Sequence, residues 1–162
     1  MELIHGINHI TFVTADIDRL VAFYQRVFDA PVRVDLEEDG LRHVLIEVGP
    51  DTYLHPFQIP GIQPPGEQPM FRRGRLDHFA FNAASEAAFR EIHRRVMAEG
   101  RDDGVVTDMQ VLLLFTFTDP DGGHHEVAWQ KPGVPLTAGG RRADWTTYDM
   151  KSLEDDNPFA VE

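Results

Sequence analysis

Four side chains offer most of the chemistry in this sequence: His9, His55, His78 and Glu126. Imidazole nitrogen and carboxylate oxygen are the donors that hold a divalent cation where thiolates are missing, and the chain has no cysteine. Disulfide scaffolds and thiolate metal sites are thereby excluded. A strand histidine is more often a surface residue than a ligand, and the chain has 8 histidines. Spacing has to select among them.

The selection comes from an internal repeat. Residues 6–28, GINHITFVTADIDRLVAFYQRVF, align without a gap on residues 75–97, RLDHFAFNAASEAAFREIHRRVM, at an offset of 69. His9 falls on His78, Phe12 on Phe81, Ala15 on Ala84, Arg26 on Arg95 and Val27 on Val96. Identity is modest, but the pattern beneath it is stronger. Leu20, Phe23, Tyr24, Val27 and Phe28 follow helical i, i+3, i+4, i+7, i+8 spacing, and Phe89, Ile92, His93, Val96 and Met97 repeat it. Asp16 and Ser85 stand where each helix needs a side-chain oxygen for an orphan N–H. Pro31 and Gly100 then stop the helices.

Strand-like segments follow each helix. The first half predicts strands over 32–36, 41–48 and 52–58, separated by Glu38-Asp39-Gly40 and Gly49-Pro50-Asp51 turns. The second predicts strands over 105–107, 111–118 and 124–130, with Asp119-Pro120-Asp121-Gly122 as the turn. Each half reads as βαβββ: residues 1–60 as the first module, 61–74 as a Pro/Gly-rich linker, 75–132 as the second module. Residues 133–162 have little periodicity and end in an acidic stretch. Trp145 and Tyr148 make them either a loosely packed tail or a strap over a partner subunit or the pocket mouth.

Side chains alternate across a strand. His9, Thr11 and Val13 therefore share one face, opposite Ile10 and Phe12; His78, Ala80 and Asn82 share another, opposite Phe79 and Phe81. The bulky faces must cover the helices, which leaves both histidines on the open side. Glu126, in HHEVAW, lies opposite Val127 and Trp129, and His55, in TYLHPF, holds nearly the matching place in the first half. A pseudo-twofold relation would gather His9, His55, His78 and Glu126 into one bowl, where a metal offsets the cost of burying the carboxylate. Thr11, Val13, Phe57, Ala80 and Asn82 are expected to face the cavity. His5, His43, His93 and His125 read as ordinary residues, and His124, on the same face as Glu126, as a second neighbour at most. Arg72, Arg73 and Arg75 offer a clamp for a substrate anion, although solvated loop charge accounts for at least two. Asp77 is left unassigned because alternation points it away from His78.

Composition sets the outer limits. The chain has 162 residues, 42% hydrophobic and 26% charged, enough for one compact domain or two half-domains. Its formal net charge of -12 argues against a nucleic-acid partner, which needs a basic surface. No apolar run is long enough to span a bilayer, and a soluble, cytoplasmic protein is the expectation.

GINHITFVTADIDRLVAFYQRVF resembles the opening module of the vicinal-oxygen-chelate superfamily, which comprises glyoxalases, bleomycin-resistance proteins and extradiol dioxygenases. RLDHFAF with FTFTDPDGGHHEVAW resembles its second module. The resemblance covers roughly residues 5–132. It implies an α+β fold of two βαβββ modules in pseudo-twofold repeat, an open half-barrel sheet around a divalent metal, and a homodimer. His9, His78 and Glu126 would occupy the three ligand positions.

His55 stands where members diverge. Glyoxalase I carries a second Glu there and methylmalonyl-CoA epimerases a Gln. The resemblance to extradiol dioxygenases implies two His and one Glu as ligands, with His55 as acid/base or as a fourth ligand. That set suits Fe(II) above Mn, Zn, Ni or Co. Thr116 takes the place of a Tyr usual in that branch, and is counted with Thr11, Val13, Phe57 and Asn82 as substrate-facing. Three functions follow in order: an extradiol-type dioxygenase acting on adjacent oxygens, a glyoxalase-like lyase or isomerase using the metal as Lewis acid, and a non-catalytic small-molecule or drug-binding protein.

Overall fold

The computed structural model describes residues 3, 6–63, 70–74, 76–139 and 141–150. His5, Arg75, much of the linker and the acidic end of the tail lie outside them. The described residues form two units. The first is Met1–Arg73 together with Asp119–Gly123, and the second is Gly74–Thr118 with His124–Glu162.

In the first unit β1 (His9–Thr14) leads into α1 (Ile17–Phe28), then β2 (Val32–Glu38), β3 (Leu41–Gly49) and β4 (Thr52–Gln58). The sheet order is β1-β4-β3-β2, with β1 parallel to β4 and the other pairs antiparallel. Asp16 caps α1 by accepting the Arg19 N–H at 2.9 Å, and Asp29 closes it in the left-handed region at φ 52°. The predicted apolar stripe is the core: Ile17, Leu20, Phe23, Tyr24 and Val27 are fully buried with Val44, Ile46 and Leu54 from β3 and β4. Each such aliphatic or aromatic side chain contributes roughly 1.5–3 kcal/mol of transfer free energy.

The second unit repeats this plan: β5 (Ala80–Asn82), α2 (Glu86–Ala98), β6 (Val105–Asp108), β7 (Leu112–Thr118) and β8 (His124–Gln130). Ser85 caps α2, accepting the Ala88 N–H at 3.1 Å. Phe89, Val96, Leu113, Phe115, Phe117 and Val127 are buried, with Phe89 edge-on to Phe115 at 5.1 Å between ring centroids. Strand β5 is parallel to β8, in a sheet ordered β5-β8-β7-β6-β9.

Three features depart from the sequence reading. A ninth strand, β9 (Thr146–Asp149), pairs antiparallel with β6, placing Tyr148 opposite Val106. Part of the presumed tail or strap is thus an edge strand of its own unit's sheet. Its four residues are too few to show a period, and pairing with β6 decides their conformation. Secondly, the Asp119–Gly123 turn groups with the first unit although the flanking strands β7 and β8 belong to the second. There Asp121 pairs with Arg19 of α1, and the Asp119 carboxylate accepts the N–H groups of Asp121 and Gly123 at 2.9 and 2.8 Å. Thirdly, β5 begins only at Ala80, so Asp77, His78 and Phe79 precede the strand. Among the described residues no helix is long and apolar enough to cross a membrane.

Candidate metal and acid/base site

The strands place the selected residues on the faces that alternation predicts. In β1, His9, Thr11 and Val13 are exposed while Thr14 and the neighbouring core are covered. In β4, His55 and Phe57 lie on the face opposite buried Leu54 and Pro56. Strand β7 alternates strictly, with Leu113, Phe115 and Phe117 buried and Thr116 turned to the other side.

The same register recurs in the two halves. Thr11 pairs with His55 across β1 and β4, and Ala80, its counterpart at an offset of 69, pairs with Glu126 across β5 and β8. His55 and Glu126 therefore hold the same place in their respective units. Thr116 is the direct cross-strand neighbour of Glu126 on β7.

In the second unit, His78 Nδ1 lies 2.8 Å from Asp77 Oδ2, and its Nε2 lies 3.5 Å from Glu126 Oε1. A carboxylate oxygen only accepts, so Nδ1 carries the proton when the ring is neutral and Nε2 keeps its lone pair. This overturns the exclusion of Asp77. Alternation holds within a pleated strand, and residues 77 and 78 lie ahead of β5, where adjacent side chains can turn to the same side. Two donors about 2.1 Å from one cation stand about 3–3.5 Å apart, so His78 and Glu126 fit as ligands of one ion.

In the first unit, His9 Nδ1 lies 2.8 Å from Asn8 Oδ1, again leaving Nε2 as the open donor. The His9 ring meets His55 edge-on at 5.4 Å between centroids. His55 Nε2 in turn lies 3.0 Å from His43 Nδ1, one ring donating and the other accepting. His43 stacks on Phe57, its partner across β3 and β4, at 5.0 Å. Burial, followed by His43 and then His9, holds the His55 imidazole below its usual pKa and favours its neutral form. His43, read as ordinary from the sequence, thus belongs to this cluster. The signal was available: His43 lies on the β3 face opposite Val44 and Ile46, the face that β4 gives to His55.

Among the described residues, no set of three or more His, Cys, Asp or Glu side chains is gathered into a metal-holding group. The first unit supplies His9 with His55 and His43; the second supplies His78 with Glu126. His93 and His125 are buried in the second unit, His93 Nε2 3.1 Å from Asp102 Oδ2 and His125 against Phe79 at 4.2 Å between ring centroids. Neither joins the open face. Arg72 is exposed.

Comparison with known proteins follows the same outline. Residues 6–127 match the family model of the Glyoxalase/Bleomycin resistance protein/Dioxygenase superfamily. No curated protein matches the chain. Among solved structures, a glyoxylase/bleomycin resistance protein/dioxygenase domain from Frankia sp. EAN1pec has a TM-score of 0.66 at 18% identity, covering 80% of this chain and 100% of that one. The fosfomycin resistance protein FosX from Mesorhizobium loti has a TM-score of 0.55 at 23% identity, over 77% and 91% of the two chains. FosX from Listeria monocytogenes, in a variant complexed with Mn(II) and 1S,2S-dihydroxypropylphosphonic acid, has a TM-score of 0.56 at 19% identity, over 77% and 92%. The structural neighbours speak to the fold. The family match spans both βαβββ units, from ahead of His9 to beyond Glu126, and so the chain belongs to the glyoxalase/bleomycin resistance protein/dioxygenase superfamily.

Proposed function

We propose that this protein is a metal-dependent enzyme acting on a small molecule with two adjacent oxygens, with His9, His78 and Glu126 as its metal-ligating residues and His55 as the acid/base. One observation carries the reading. Both histidines have Nδ1 engaged by an oxygen of the preceding residue and Nε2 left as a donor, His78 beside Glu126. The Mn(II)-bound relative supports the cofactor class. When bound, the cation supplies Lewis acidity that stabilises negative charge on a chelated substrate oxygen.

The chain's own residues would handle the proton and the fit. His55, held neutral, takes a proton from the substrate or returns one. The 3.0 Å contact with His43 fixes its ring. Thr11, Val13 and Phe57 line the open face of the first sheet, and Asn82 and Thr116 that of the second, as substrate-facing side chains. Non-redox proton transfer, of the lyase or isomerase kind, is the preferred chemistry. The His55–His43 pair favours it, as does the short Thr116 side chain where an extradiol enzyme would use a phenol. The two-histidine, one-carboxylate set keeps an Fe(II) oxygenase as the second reading.

The test uses chelator-stripped protein reloaded with Mn(II), Ni(II) or Fe(II). Anaerobic turnover of a hemithioacetal or of fosfomycin supports the first reading. Oxygen uptake on a catechol panel, confined to the Fe(II) form, replaces it with the second. Ligand binding by metal-free protein with no turnover in any form makes it a binding protein and ends both.

A further inference from the structure

The residue before each histidine repeats in position and contact, although it is Asn in one half and Asp in the other. Asn8 and Asp77 are separated by the same 69 positions, and each sets a side-chain oxygen 2.8 Å from Nδ1 of the histidine that follows. Neither lies inside a strand: β1 begins at His9 and β5 at Ala80. From these two contacts we infer that Asn8 and Asp77 are positioning residues for the metal ligands, each fixing its imidazole as the Nδ1–H tautomer with Nε2 outward. They do so with unequal charge.

The inference rests on the metal reading above and deepens it. An imidazole that must both rotate and change tautomer before binding loses affinity; one already locked does not. The amide oxygen of Asn8 orients His9 without adding charge. The carboxylate of Asp77 orients His78 and also makes its ring a stronger donor, since an anion on Nδ1–H pushes electron density toward Nε2. The two halves are thus matched in geometry and graded in donor strength, with the stronger donor on the ring that faces Glu126 at 3.5 Å. Asn8 is exposed, whereas the Asp77 side chain is only 17% exposed, so the Asp77 variants need the conservative D77N and a separate check of fold.

Affinity for Mn(II) in untagged, chelator-stripped protein is the readout, followed by loss of the free-ion electron paramagnetic resonance signal and by competition with a chromophoric chelator. No turnover is needed. D77A is expected to weaken binding about 10–100-fold and N8A by a smaller factor. D77N, which keeps an oxygen on Nδ1 but removes the charge, should fall between wild type and D77A, and N8D should bind more tightly than wild type. This conservative series separates positioning from loss of fold, which circular dichroism reports independently. If wild type binds Mn(II) and N8A and D77A bind it within twofold, the inference falls and the ligand assignment stands. If wild type does not bind Mn(II), Fe(II) or Zn(II), the ligand assignment falls and takes the inference with it.

Discussion

At the scale of single residues, His55 and Tyr24 make distinct predictions. Replacing His55 with Ala should slow turnover about 10²–10⁴-fold while leaving Mn(II) affinity within a few-fold, the mark of an acid/base. A collapse of affinity would instead make His55 the fourth ligand. Stopped turnover and equilibrium metal titration on one preparation decide between them. Tyr24 concerns stability. Its phenol is held well above the usual pKa by complete burial, with Asp119 and Asp121 adding to the shift. The folded chain therefore keeps a proton that the unfolded chain releases above about pH 10. Stability from this group is fully present below that value and falls as pH rises beyond it, by up to about 1.4 kcal/mol per pH unit. Urea unfolding between pH 9 and 11 should show that slope in wild type and lose it in Y24F.

Secondary-structure elements are where the sequence was most legible. The offset of 69, the helical stripes and the caps all reappear, because each is a local rule acting on side chains that are buried or hydrogen-bonded where they stand. Removing a cap tests this: D16A and S85A should each cost about 1 kcal/mol in denaturant unfolding, without changing the sheet signal in circular dichroism. Three things escaped. Strand β9 takes its form from the edge of β6, a long-range cause that four residues cannot announce. Asp77 was misjudged by carrying the two-residue period past the end of the strand that justifies it. His43 was set aside as one histidine among eight, although its face on β3 already pointed to His55. The candidate site was readable wherever it lay inside a regular strand, and was lost at strand ends and across strand pairs.

For the whole molecule, a ligand that binds only the folded chain must stabilise it. Mn(II) at about 100 times its dissociation constant should raise unfolding free energy by about 2.7 kcal/mol, reversed by EDTA and absent in H78A. Differential scanning calorimetry with and without metal measures it. A homodimer is the expected working form, which light scattering checks directly; a monomer at assay concentration would remove it. The Asp119–Gly123 turn bears on how such a chain can be divided. It is encoded between two strands of one unit, yet its aspartates serve the helix of the other, through Arg19 and beside Tyr24. A gene truncated after codon 73 would therefore specify a polypeptide whose first helix has lost an acidic counterpart. The acidic partner of the first repeat's helix is thus carried in the sequence of the second repeat.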